Sequence, residues 1–277
     1  MKNPKVKQFC FPLLVMAAYF AVLLLLGLFM PGHAGQAALI GDLVSAVLFG
    51  ILYYLDRKKT GLPEEAEKPF RPKMWFLVVF VGILSLIWLV SQAGGQVLYH
   101  MGLTAGASSY TDMSKNESSF YVVTSIFVAP IAEELVFRGF GYRMWKRLVP
   151  VLVAALLSSA VFTAYHMSFI HIPVAMTVGL FSCVLYEMTG RLRYSVIFHM
   201  IYNLMSAGVF IPVSSQSALM KPYVSLPLCI AVWVFAFWCL FHTKQIRQWS
   251  ETSKLIDKMN EPGADLSMFD KKKDDVK

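Results

Sequence analysis

The sequence predicts an all-α fold: a polytopic membrane bundle of about eight transmembrane helices with both termini cytoplasmic. Three observations carry that expectation. The 277 residues are 57% hydrophobic and only 15% charged, with a mean hydropathy of +0.56, where a soluble domain would carry about 25% charged residues. The apolar residues fall into runs long enough to cross a hydrocarbon core of about 30 Å. The basic residues collect in alternate connections between those runs, as the positive-inside rule requires.

The runs follow in order. Met1 to Gln8 carries Lys2, Lys5 and Lys7, and Phe9 to Met30 is the first span. Lysines before an apolar stretch also describe a signal peptide, but this run exceeds the usual 7–15-residue signal core, so it reads as a retained helix. Pro31-Gly32 ends it. Ala37 to Leu55 is the second span, with Asp42 near its outer end, and Met74 to Leu98 the third. Phe120 to about Phe140 is the fourth, Pro150 to His166 the fifth and Ile172 to Met188 the sixth. Tyr194 to Ile211 and Tyr223 to Phe241 complete the set. Residues 1–241 therefore form one bundle, and 242–277 a charged tail in which Ile246 to Met259 has the makings of an amphipathic helix.

With the N-terminus inside, 22 of the 25 lysines and arginines fall in cytoplasmic segments, and only Lys115 and Lys221 fall outside. The net charge of +8 is thus an orienting charge on an integral, multi-pass protein of the plasma membrane, and no nucleic-acid partner is expected. The basic tail reads as a solvated positive-inside segment; contact with anionic lipid is the other reading. Cys10, Cys183, Cys229 and Cys239 lie in apolar runs with no C-x-x-C spacing and read as buried small hydrophobes. Asn116-Glu-Ser matches a glycosylation sequon on an outer loop, which means nothing without a secretory eukaryotic context.

Arg138, the remaining basic residue, belongs to the stretch that organises the chain: Glu133-Glu134-x-x-x-Arg138 inside the fourth span. Each such charge costs roughly 2.5–3.5 kcal/mol on insertion scales, so intramembrane charges mark function by default. Glu134 and Arg138 are i,i+4 neighbours and can pair. Glu133 points roughly 100° away and stays unpaired, free to face a cavity. Two more constellations lie within the spans: Phe162-x-x-x-His166, and His199-x-x-x-Asn203 with both side chains on one helix face. His171, five residues past His166, sits in a loop. Counting about 1.5 Å per residue from the basic ends puts Glu133 and His166 at similar depth, roughly 20 and 24 Å, but His199 only roughly 9 Å in.

One carboxylate, two histidines and a carboxamide in a shielded cavity suit amide hydrolysis. A desolvated Glu133 can act as general base on a water, with His166 holding the same water and His199 and Asn203 donating to the developing oxyanion. Alternatively Glu133, His166 and His199 can ligate a divalent metal such as zinc, two histidines and one carboxylate being a catalytic zinc set. There is no H-E-x-x-H. The sequence leaves the metal and metal-free schemes open.

The three motifs, in this order on separate helices, resemble the signature of the CAAX-protease and bacteriocin-processing (CPBP, or Abi) family of intramembrane proteases, over about Val128 to Ala207. The resemblance implies an intramembrane endopeptidase, of glutamate or metallo type, acting on a membrane-embedded or lipid-anchored protein or peptide. It implies that Glu133 and His166 activate the water, that His199 and Asn203 stabilise the tetrahedral intermediate, and that Glu134 and Arg138 support them. Prenyl-protein processing, peptide maturation and immunity all fall within the family's range. Two other classes compete: a non-catalytic membrane binding or immunity protein, which would not need the catalytic groups, and an ion-coupled transporter, which would be expected to show two related halves that the sequence lacks.

Overall fold

The computed structural model describes residues 4–60, 74–103, 118–208 and 217–242. The sequon and the amphipathic stretch of the tail lie outside them. Every described element is helical. Eight helices correspond to the eight expected spans: α1 Pro4–Phe29, α2 Ala34–Thr60, α3 Met74–His100, α4 118–145, α5 Val151–Tyr165, α6 Ile172–Thr189, α7 Leu192–Gly208 and α8 Pro222–Phe241. Among the described residues, five stretches are long and apolar enough to cross a membrane: Val6–Phe29, Ala34–Lys58, Phe120–Trp145, Phe169–Thr189 and Pro222–Phe241. Val151–Tyr165 is apolar but shorter. The chain is a multi-pass integral membrane protein.

Burial orders the bundle from inside out. Of the Phe169–Thr189 window, 61% is buried, against 22% in each of the first two spans. The centre is therefore α6 with α4, while α1 and α2 turn Leu24, Leu25, Leu28, Val44, Val47 and Leu48 outward. In water so much exposed apolar surface would drive association; in a bilayer it is the lipid-facing wall.

Polar ties fix the helices at one end. Trp145 Nε1 donates to the Phe9 carbonyl (3.0 Å), Arg143 pairs with Asp56, and Lys146 reaches Glu187. The start of α1 and the ends of α2, α4 and α6 thus lie together. These are the ends on which the basic clusters sit. Gly190, at φ 69°, turns α6 into α7, a left-handed conformation that glycine adopts without strain.

Without a hydrophobic drive between them, membrane helices associate through close packing of small residues. The α5–α6 contact does this: a Cβ on Gly179 would lie 2.7 Å from Ser159 Cβ and 3.0 Å from its Cα. Gly179→Val is expected to lower stability by about 1–3 kcal/mol, the usual cost of overpacking, read as an earlier thermal transition of the purified protein in detergent.

The central helix α4 is not a regular α-helix. Thr124–Val128 and Glu134–Tyr142 are π-helical, with i→i+5 bonding. Pro130 accounts for the first stretch. It has no N–H and its ring crowds the carbonyl four residues back, and the wider turn relieves that contact. In the second stretch, carbonyls take side-chain partners: Ser158 Oγ donates to Phe137 O (2.8 Å) and Arg143 Nε to Gly139 O (2.7 Å).

Candidate active site

Glu133 ends the regular turn between the two π stretches and Glu134 opens the second. Their side chains diverge, as the sequence spacing requires. Glu134 and Arg138 form the expected i,i+4 pair at 3.0 Å, with both side chains fully buried. The guanidinium lies 4.4 Å over the Phe162 ring, where the ring face attracts a cation. Glu134 Oε1 also accepts from Ser182 Oγ at 3.1 Å and meets His199 Nδ1 at 3.0 Å. A carboxylate against Nδ1 places the ring proton on that nitrogen, so Nε2 presents its lone pair. That nitrogen is 3.6 Å from Glu133 Oε2. The gap is too long for a hydrogen bond and short enough for one water to touch both atoms. His199 is thus held between the two adjacent acids, oriented by one and facing the other.

The counted depths place His199 about 11 Å from Glu133 along the membrane normal; the structure brings them together. Part of the reason is the nine-residue π stretch between Glu134 and Tyr142. A wider turn advances less per residue, so the α-helical count overstates the depth of Glu133.

His166 closes α5, which stops because Met167 adopts φ 48°, a left-handed conformation costly for a residue with a side chain. His166 Nδ1 donates to the Phe162 carbonyl at 2.9 Å, which leaves Nε2 as an acceptor. The Phe162 ring centroid is 4.7 Å from that of His166 and 5.7 Å from that of His199, so this phenylalanine is the wall both imidazoles share. Among the described residues, the close side-chain contact of Glu133 is with His199 and not with His166. His171 is bonded to Ser168 Oγ at 2.9 Å in the following turn.

Asn203 Nδ2 donates to the Ser125 carbonyl at 2.7 Å. That carbonyl is available for a local reason. The Ala129 N–H is spent on Thr124 O, and the next residue, Pro130, has none to give. Asn203 therefore docks α7 on the proline-induced opening of α4 and keeps its second amide hydrogen. Trp88 Nε1 and Gln92 Nε2 hold the same helix from α3 through Ser206 Oγ, at 2.9 and 3.2 Å.

The metal alternative fares differently. Among the described residues no group of three His, Cys, Asp or Glu side chains is placed to hold an ion. Glu133 and His199 supply two donors, and the other nitrogen of His199 is occupied by Glu134. The three-ligand set does not fit this arrangement.

A buried pair outside the motifs borders the site. Tyr19 of α1 donates to Asp42 Oδ1 of α2 at 2.6 Å, and the two residues are 0% and 4% exposed. Glu133 lies within Coulombic range of both. Asp42 had the same signal as Glu133, an acid in an apolar run, but its position in the second span says nothing of where it points. Tyr19 had no signal.

An all-helical membrane bundle with a buried Glu–His–Glu constellation at its centre has the form of an intramembrane protease. The comparisons agree: residues 115–205 match the model of the type II CAAX prenyl endopeptidase Rce1-like family, a span that holds all three motifs. Over that span the chain is similar to this family of membrane proteases. The membrane-embedded CAAX protease MroQ of Staphylococcus aureus (strain USA300) is 25% identical over 168 residues, covering 58% of this chain and 68% of MroQ. No solved structure matches the chain.

Proposed function

We propose that the protein is an endopeptidase of the plasma membrane that hydrolyses a peptide bond in a membrane-embedded or lipid-anchored protein, with Glu133 as general base. The observation that carries this reading is the 3.6 Å gap between Glu133 Oε2 and His199 Nε2 in a buried site. A water there loses a proton to Glu133 as its oxygen attacks the scissile carbonyl carbon. The carbonyl electrons move to oxygen. The free amide hydrogen of Asn203 receives that oxyanion, while His199, fixed by Glu134 with its proton on Nδ1, accepts the second hydrogen of the water at Nε2. Glu133 returns its proton to the nitrogen as the C–N bond breaks. His166 Nε2, across Phe162, accepts from the water or from the substrate backbone.

An apolar cleft of about 610 Å³ beside the His166 turn, lined by Thr163, Ala164, Met167, Phe169, Met176 and Trp233, suits the approach of an apolar segment. No step needs a metal, so cleavage by purified protein is expected to persist after chelation. Loss of cleavage that zinc restores would replace this scheme.

The test compares new peptide termini, mapped by mass spectrometry, in membranes and medium of two strains. One makes the wild-type protein and the other makes Glu133→Gln at equal membrane level. A terminus absent only from the mutant establishes proteolysis and names the substrate. If no terminus differs, and the mutant still rescues a deletion phenotype, the protein acts by binding.

A further inference from the structure

The Asp42–Tyr19 pair is a poor investment as a structural tie. Hydrogen bonds between membrane helices return little, less than it costs to place a carboxylate among lipid-facing residues. On α2 the buried positions Asp42, Ser45 and Phe49 form a narrow inward stripe, and this helix packs on the 129–133 turn that carries Glu133. The pair has a third member. Tyr165 of α5 directs its hydroxyl to Tyr19 Oη at 3.4 Å, and its ring packs 5.4 Å from that of Tyr19. Tyr165 immediately precedes His166, and their rings are 5.4 Å apart. The turn they occupy contains the left-handed Met167, and such strain persists only where neighbours over-determine it.

We propose that Asp42, Tyr19 and Tyr165 are positioning residues of the active site. Asp42 accepts the hydrogen bond of the Tyr19 hydroxyl and so directs the Tyr19 oxygen toward Tyr165, and the chain holds the strained turn on which His166 is mounted. Two helices outside the matched family region thereby complete the site. The inference rests on the protease reading above.

The experiment follows the rate at which the Glu133-dependent terminus appears in a pulse-chase, alongside the melting temperature of each purified variant. Tyr19→Phe keeps the ring packing and removes the donor. Asp42→Leu removes the acceptor and the buried charge. Asp42→Asn keeps an acceptor. Tyr19→Phe and Asp42→Leu are each expected to slow cleavage about tenfold or more, as loss of a partner that orients an active-site group does. Asp42→Leu should do so without lowering the melting temperature, and Asp42→Asn should recover most of the rate. The double variant should be no slower than the slower single one, because both break the same chain. Wild-type rates in Tyr19→Phe and Asp42→Leu overturn the proposal. So does a loss of rate that only tracks a lower melting temperature or membrane level. If wild type and Glu133→Gln give the same termini, the protease reading fails and this inference falls with it. That result is distinct from a wild type that cleaves and a Tyr19→Phe that matches it.

Discussion

Glu133→Gln is expected to reduce cleavage by roughly 10²–10⁴-fold, the usual worth of a positioned general base, while leaving protein level and membrane insertion unchanged. Glutamine has the same shape and no charge, so it is no harder to place in a bilayer than the acid it replaces. The neighbouring acid is expected to behave in the opposite way. Glu134 meets Arg138, His199 and Ser182 at a single oxygen. Glu134→Gln removes the carboxylate that pairs with the fully buried Arg138, and loss of the folded protein should precede any kinetic effect. Parallel measurement of membrane level, melting temperature and terminus formation separates the two. If Glu133→Gln cleaves at the wild-type rate, the base is elsewhere. If Glu134→Gln is as stable as wild type and merely slow, Arg138 has another partner.

The divergence of two adjacent acids was legible in the sequence, because side chains one residue apart point in different directions on any helix. Helix positions were legible for a similarly local reason: each apolar run must satisfy its own backbone hydrogen bonds in lipid, and a helix does so. What joins the helices was not. Depth counted along a chain assumes one rise per residue, and the π turns of α4 break that assumption. Pro130 was visible, but that the carbonyl it leaves open would be taken by Asn203, 78 residues on, was not. The placement of His199 against both acids, and of Phe162 between the imidazoles, depends on contacts between helices that carry no local sequence mark. The motifs named candidate side chains and left open which of them meet. Here Glu133 faces His199, where the sequence reading had Glu133 and His166 sharing one water.

Arg138→Leu is expected to be the most destabilising single change in the site. Removing one partner of a buried ion pair costs roughly 3–5 kcal/mol, because the remaining charge stays uncompensated. Here the remaining charge is Glu134, with only His199 and Ser182 left to answer it. Lysine should not rescue the fold well. The guanidinium is a flat group lying over the Phe162 ring while it meets Glu134, and a lysine ammonium is a compact, strongly hydrated point charge that resists such a dry site. A second change tests whether the pair is there for stability. Replacing both partners, Arg138→Leu with Glu134→Leu, removes both buried charges together, and such exchanges are often neutral or stabilising. The double variant is therefore expected to regain membrane level and melting temperature. It should not regain cleavage, because His199 Nδ1 loses the carboxylate that sets its tautomer and orientation. Recovery of the fold without recovery of activity would assign the pair to the orientation of His199, with the arginine keeping Glu134 ionised and in place. Recovery of both would make the pair dispensable to catalysis and leave His199 to be oriented by Glu133 alone.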